Sequence, residues 1–283
     1  MSIKKSHKTY RIAGLVMKHT GLIAGGLIMM LPFVWMALTS FKNSKEVLKV
    51  PIQWFPEHMQ WDNYAQVLNT LEFGRYYMNT AIVTTGLVVG QLALCSMAAY
   101  AFSRLRFPCR RIIFGIILSV MMIPSQMTLI PNYTTLVALG WNNTFQGIIL
   151  PLVPTAYGVF FLSQVFKGIP SEIEQAAKID GCSPFGTYIR VGLPLAVNGL
   201  VSFGILVMLY AWNEFMWPLI VVGNDKMRTL SLAVAALKSY RDIQTKYHIL
   251  MAASVMTIIP VLLVFLIGQR RFIAGIMSGS VKG

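Results

Sequence analysis

The sequence predicts an all-α membrane protein with six transmembrane helices. Three observations carry this prediction. Of the 283 residues, 55% are hydrophobic and only 12% are charged, about half the charge a soluble domain needs to cover its surface. Uncharged runs of span length recur along the chain, and most of the basic residues sit in the segments between them. In a soluble protein the net charge of +14 would point to nucleic acid. Beside apolar runs it reads as a topology signal and as contact with anionic lipid, so membrane lipid is an expected partner and nucleic acid is not.

Uncharged runs extend from Thr20 to Phe41, Tyr76 to Ser103, Ile112 to Phe166 and Ile249 to Gln269, and a fifth run from Val191 to Asn224 is broken only by Glu214. About 20 apolar residues cross a bilayer as a helix. The third run is too long for one crossing, and its middle, PNYTTLVALGWNNTFQ, is rich in helix-punctuating residues; two spans there give six. The first run exceeds a signal-peptide core and no small-residue cleavage site follows it, so this span is expected to stay in the protein. Pro124, Pro131, Pro151 and Pro154 lie in or beside spans three and four, where proline can kink a helix. The small residues of LIAGG and CSMAAYAFS let helices approach closely, which favours a packed bundle. Cys95, Cys109 and Cys182 have no metal-ligand spacing, so neither a zinc site nor a disulfide framework is expected.

With six spans both termini share a side. Placing the first tail (1–19), the loop RLRFPCRR, the loop 167–196 and the last tail (269–283) together puts fifteen Lys and Arg on that side against nine on the other. The positive-inside rule makes it cytoplasmic, leaving 20–268 as one membrane domain. The basic loop with Lys226, Arg228, Lys238, Arg241 and Lys246 falls outside and is the weakest point of this topology. Also outside, VPIQWFPEHMQWDNY within 42–75 suits an irregular cap at the interface, where Trp is favoured.

The loop 167–196, KGIPSEIEQAAKIDGCSPFGTYIRVGLPLA, is longer than a connector requires. Ser171 followed three residues later by Glu174 reads as a capping box. The helix it opens should stop at Gly181 in a left-handed turn, and Ser183-Pro184 should cap and start a second helix. Ile173, Ala176, Ala177 and Asp180 are spaced along one face, where the two alanines leave a shallow surface for another protein.

EQAAKIDG followed by nine residues and VGLP resembles the EAA loop of ABC importer permeases. WNEFMWPL, the Asn79-Thr80 pair, MIPSQMTLIP and the ending QRRFIAGIMSGSVKG are similar to the second permease of carbohydrate importers of the maltose-transporter type, in register over nearly the whole chain. The resemblance implies a coupling helix between spans four and five, with Glu174, Gln175, Ala176, Ala177, Asp180, Gly181 and Pro194 at a separate ATPase. It also implies a tail, including Gly275, Gly279, Lys282 and Gly283, that enters the ATPase dimer interface. The implied partners are a second permease, two ATPase subunits and an extracellular or periplasmic solute-binding protein. ATP and Mg would sit on the ATPase and no cofactor on this chain, a multi-pass subunit of the bacterial cytoplasmic (inner) membrane. Gln175 stands where the family usually has Glu, and Val191 where it has Ile. Related permeases serve maltodextrins, other oligosaccharides, uronides, polyols and glycerol phosphate, with specificity largely held by the binding protein and the partner permease.

Four histidines and a single acid within the predicted spans, Glu214, supply no catalytic constellation, so no catalytic or metal residue is expected. An ion-coupled secondary transporter is the alternative, but it would ordinarily show a midplane ionisable cluster or an inverted repeat. Burying Glu214 in hydrocarbon costs at least about 2.5 kcal/mol, which places it with Asn213 and Trp217 at a translocation path or its outer rim. A purely structural carboxylate framed by Trp212, Asn213 and Trp217 is the competing reading.

Overall fold

The computed structural model describes the backbone of residues 2–70, 72–238 and 246–280, with side chains described within 14–69, 72–237 and 246–272. It is nearly all helical, and no strand occurs among the described residues. Two compact units divide it, 1–70 with 237–256, and 71–236 with 257–283.

The first unit contains α1 (Ser2–Ser40), α2 (Ser44–Val47) and α3 (Asp62–Thr70). From Gly14 to Ser40, α1 is apolar and long enough to cross a membrane, and most of its large apolar side chains are exposed. The segment after it is ordered by polar side chains. Asn43 accepts from the amides of Lys45 and Glu46 at 2.9 and 3.0 Å to start α2. Asn63 donates to the carbonyls of Ser40 and Lys42 at 2.8 and 2.9 Å. Lys42 is almost fully buried; its Nζ donates to the Gln53 carbonyl at 2.5 Å and lies 4.1 Å from the centre of the Trp35 ring. Burial holds its pKa below the ordinary lysine value, against the opposing pull of Glu46.

The second unit begins with α4 (Phe73–Arg104), followed by α5 (Arg110–Ser119), α6 (Ser125–Ala138), α7 (Phe145–Ile149) and α8 (Ala156–Lys167). Then come α9 (Ser171–Ile179), α10 (Pro184–Thr187), a widened π turn over Tyr188–Gly192, α11 (Leu193–Leu195) and α12 (Val197–Asn213). The chain continues through α13 (Met216–Val221), α14 (Leu230–Lys238) and α15 (Tyr247–Ser280), the last two shared by both units. Among the described residues three helices, α1, α4 and α15, are long and apolar enough to cross a membrane unbroken. Three further candidates are bent pairs: α5 with α6 by 101°, α7 with α8 by 51°, and Pro184–Leu195 with α12 by 78°.

The first two bends sit where the sequence places proline. Pro124 is the N-cap of α6, and Pro151 and Pro154 bracket the break before α8, because proline supplies no amide to carry a helix through. Pro131, by contrast, lies inside α6 without interrupting it. The stretch read as punctuation between spans three and four is helical as far as Ala138; the turn itself is Leu139–Thr144, with Gly140 at φ 68°. The segments expected as tails continue α1 and α15, helical from Ser2 and as far as Ser280. No proline interrupts 2–19, and Lys and Arg are good helix formers.

Glycines set the helix spacing around α4, α8 and α12. A Cβ at Gly86 would lie 2.8 Å from Ile149, and one at Gly90 2.8 Å from Val153. A Cβ at Gly158 would lie 2.6 Å from Phe203, and one at Gly199 2.4 Å from Val165. The core between these helices includes Leu87, Cys95, Leu162, Phe166 and Phe203. All three cysteines are free thiols.

Candidate functional site

Two places in the second unit concentrate polar side chains against this apolar framework, one at the Arg104 end of α4 and one among the broken helices.

At the first, α9 runs from Ser171 to Ile179, with the C-cap at Asp180 and Gly181 at φ +83°. The Gly181 amide donates to the Lys178 carbonyl at 3.1 Å and the Cys182 amide to the Ala177 carbonyl at 3.0 Å, the paired bonds of a Schellman ending. Ser183 then caps α10 by accepting from the Gly186 amide at 3.1 Å, with Pro184 in the first turn. The expected helix, glycine turn and capped second helix are all present.

The capping box is not. The N-cap of α9 is Pro170, no side chain caps it, and Glu174 turns instead to Arg104. Its Oε1 lies 3.2 Å from Arg104 Nε, with both side chains largely buried. The Arg104 guanidinium also donates to the carbonyls of Phe166 and Ile169, next to the end of α8, where helical carbonyls lack partners. Tyr100, one turn back on α4, packs edge-on to Phe166 and beside Tyr188, with ring centres 5.4 and 5.2 Å away. Ser96 and the Tyr188 hydroxyl share a 2.7 Å hydrogen bond.

This arrangement divides the predicted docking face. Glu174 and Ala177 are buried, whereas Ile173, Gln175, Ala176, Ile179, Asp180, Gly181 and Pro194 are exposed. Ala177 therefore faces inward, because Glu174, three residues earlier on the same side, is held by Arg104. Ile179, 86% exposed, takes its place on the outer face. Sequence reasoning counted Arg104 only as a topology charge; the available signal was its position at the very end of an apolar run, where a helix can hold it half in the core.

At the opposite end of α4, Asn79 donates to the carbonyls of Lys226 and Arg228 at 2.8 and 2.9 Å, and Thr80 Oγ1 accepts from the Leu230 amide at 2.9 Å. This basic segment and Arg104 thus lie at opposite ends of one helix. At a rise of 1.5 Å per residue, Asn79 and Arg104 are about 38 Å apart.

Asn213, Glu214 and Trp217 come together at the break between α12 and α13 but have different surroundings. Glu214 Oε1 accepts from the Trp217 amide at 3.0 Å, capping α13, and its carbonyl accepts from Ser231 Oγ at 2.7 Å. Tyr210 lies one turn earlier on α12. Asn213 is exposed and donates to the Leu209 carbonyl. Trp217 is 2% exposed, and its indole N–H donates to the Gly147 carbonyl at 3.1 Å; it is a packing anchor. Of the expected tail residues, Gly275 and Gly279 lie on α15 where only the backbone is described, and Lys282 and Gly283 lie outside the described residues.

The second place is a cavity of about 640 Å³ whose walls include Gln91 of α4, Thr128 and Asn132 of α6, and Tyr157, Phe203 and Tyr210 of α8 and α12. Pro151, Leu152, Pro154 and Thr155, at the break before α8, also line it. Among the described residues no cluster of His, Cys, Asp and Glu has the makings of a metal site.

Apolar helices broken around a polar cavity, with a helical loop clamped to one end, form the architecture of a membrane transport subunit. The chain belongs to the family of binding-protein-dependent transport system inner membrane components, whose pattern matches residues 91–277. It is 34% identical over 259 residues, 89% of this chain and 83% of the other, to the probable ABC transporter permease protein YurM of Bacillus subtilis. It is also 34% identical to the arabinooligosaccharides transport system permease protein AraQ of Halalkalibacterium halodurans, covering 90% of this chain and 92% of that one. The diacetylchitobiose uptake system permease protein NgcG of Streptomyces coelicolor is 32% identical, covering 93% of this chain and 88% of that protein. Its fold matches a chain of a bacterial ABC transporter involved in the import of the acidic polysaccharide alginate, with a TM-score of 0.82 at 24% identity, over 93% of this chain and 98% of that one.

Proposed function

We propose that this chain is one of two permease subunits of an ATP-driven ABC importer that moves a carbohydrate across the bacterial cytoplasmic membrane. The observation that carries the reading is the α9–Gly181–α10 loop, tied by Arg104 to α4 and to the end of α8. A push on the outer face of α9 reaches two membrane helices through an ion pair and two carbonyl bonds. Glu174, Gln175, Ala176, Asp180, Gly181 and Pro194 make up the coupling segment at a partner ATPase, with Ala177 supporting it from inside. ATP and Mg belong to that partner.

The membrane domain, 20–268, crosses six times, counting each bent pair as one span, with 1–19 and 269–283 in the cytoplasm. The separation of Asn79 from Arg104 exceeds the hydrocarbon thickness of about 30 Å, which supports opposite sides for the 226–230 segment and α9. The assembly is this chain, a second permease and two ATPase copies, with an external binding protein. The ending from Gly275 to Gly283 enters the interface between the ATPase copies. Asn213, Glu214 and Trp217 frame the outer rim of the path, Trp217 by holding the break in position. The engagement of Glu214 in capping α13 disfavours the ion-coupled alternative, which needs an acid free to bind and release its ion.

The test is reconstitution of the purified complex with its binding protein and measurement of solute uptake. Uptake is expected to require both the second permease and the ATPase. Full transport after removal of either one refutes the assignment.

A further inference from the structure

We propose that the cavity among the broken helices is a solute subsite on this chain selective for an uncharged polyhydroxyl compound, a neutral saccharide and not a phosphorylated or uronate one. The inference rests on the importer reading above and adds a location and a charge class to it.

Three independent features of the cavity lead there. Its volume, about 640 Å³, falls within the range of roughly 300–1,000 Å³ found for small-molecule sites. One wall is formed at a helix break: Pro151, Leu152, Pro154 and Thr155 come from the turn before α8, while Val120, Thr128 and Asn132 face it from the two sides of the bent α5–α6 pair. Non-helical backbone at membrane depth is tolerated only where it is buried in protein or lines a wet cavity, and the break before α8 opens onto this one. Discontinuous helices of this kind place carbonyl groups where a transported solute can reach them.

The chemistry of the walls selects the class. Tyr157 and Tyr210 are 44% and 50% exposed and present aromatic surface beside Phe203, whose ring centre is 6.4 Å from that of Tyr157. Aromatic faces pair with the apolar C–H faces of sugar rings, and their hydroxyls reach the sugar's polar edge. The amides of Gln91 and Asn132 and the hydroxyl of Thr155 both donate and accept, and Thr128 accepts, as a polyol requires. Gln91 is held in place by its bond to the Leu152 carbonyl at 2.8 Å, and Thr128 Oγ1 donates to the Ser125 carbonyl at 2.9 Å while its lone pairs stay available as acceptors.

None of the lining residues is charged, so a phosphate or carboxylate entering here would lose its water with no Arg or Lys to receive it.

The test uses the reconstituted complex and measures ATP turnover and uptake with a panel of arabinotriose, N,N′-diacetylchitobiose, sn-glycerol 3-phosphate and a guluronate trisaccharide. A neutral member is expected to drive turnover. Tyr157→Ala and Asn132→Ala, each confirmed by co-purification of all subunits, should raise the solute concentration for half-maximal uptake by about five- to tenfold. Asn132→Lys should depress neutral uptake more strongly than Asn132→Ala. Turnover driven by the phosphate or the uronate refutes the charge class. Neutral uptake unchanged in all three variants refutes the subsite while leaving the importer reading intact. An assembled complex that no member of the panel stimulates counts against the importer reading and removes the subsite with it.

Discussion

Replacing Arg104 with alanine removes the ion pair that ties α9 to α4. At 3.2 Å and an effective dielectric of about 20, the Arg104–Glu174 attraction is about 5 kcal/mol, much of it offset by the desolvation of both groups. Removing one partner of such a pair costs about 3–5 kcal/mol, because the other charge is left buried. Arg104→Ala also frees the Phe166 and Ile169 carbonyls. If the cost falls on local opening of the loop, exchange of the Gly181 and Cys182 amides, both bonded in the Schellman turn, should accelerate roughly 100- to 4,000-fold. Glu174→Gln should cost less, since glutamine keeps an acceptor and Arg104 keeps its two carbonyls. The double variant should cost less than the two single costs combined. Hydrogen exchange on the detergent-solubilised complex measures all three. Loop amides that exchange less than about fivefold faster in Arg104→Ala, or strictly additive single and double effects, would refute the assigned role of the Arg104–Glu174 pair.

Gly181→Val meets no neighbour within 4 Å, so its cost is the left-handed conformation alone, about 1–2 kcal/mol; the variant should express and insert but hydrolyse ATP without solute uptake, and tight coupling counts against the hinge. Ala176→Leu adds bulk to the exposed face and should block ATPase co-purification, whereas Ala177→Leu overpacks the buried face and should lower the melting temperature; the opposite pattern reverses the assigned faces. Glu214→Gln retains an acceptor for the Trp217 amide, so expression should be normal while uptake falls; unchanged uptake removes Glu214 from the path. Lys42 titrates below its ordinary 10.5 in the folded chain, so the folded state binds fewer protons. Stability of the segment after α1 then rises as pH climbs through the folded pKa toward 10.5 and levels off above it. Chemical denaturation followed by Trp fluorescence between about pH 8 and 11 should show this slope, and Lys42→Met should lose it; a slope that persists in the variant refutes the assignment.

Features governed by local backbone chemistry were legible in the residues. Gly181 and Ser183-Pro184 are where a helix must end and another begin, and Pro124, Pro151 and Pro154 stand at helix breaks, although Pro32, Pro131 and Pro260 sit inside unbroken helices. Features decided by distant partners were not. Ser171 and Glu174 have capping-box spacing, yet Glu174 is claimed by Arg104, 70 residues earlier, and that contact rotates Ala177 inward. Trp217 beside Glu214 suggested a path residue, but its indole bonds a carbonyl on α7 that no local pattern could predict. The cavity joins residues from Gln91 to Tyr210, and only the folded bundle brings them together.

The glycine contacts bear on motion as well as on spacing. Where Gly199 meets Val165 and Gly158 meets Phe203, the side chain of one helix sits in the notch that the glycine of the other leaves open. Sliding one helix along the other must lift Val165 and Phe203 out of those notches, so the two glycines act as seats that index the position of α8 against α12. A methyl group added at Gly199 would occupy the seat of Val165 and force α8 and α12 apart, an overpacking that typically costs about 1–3 kcal/mol.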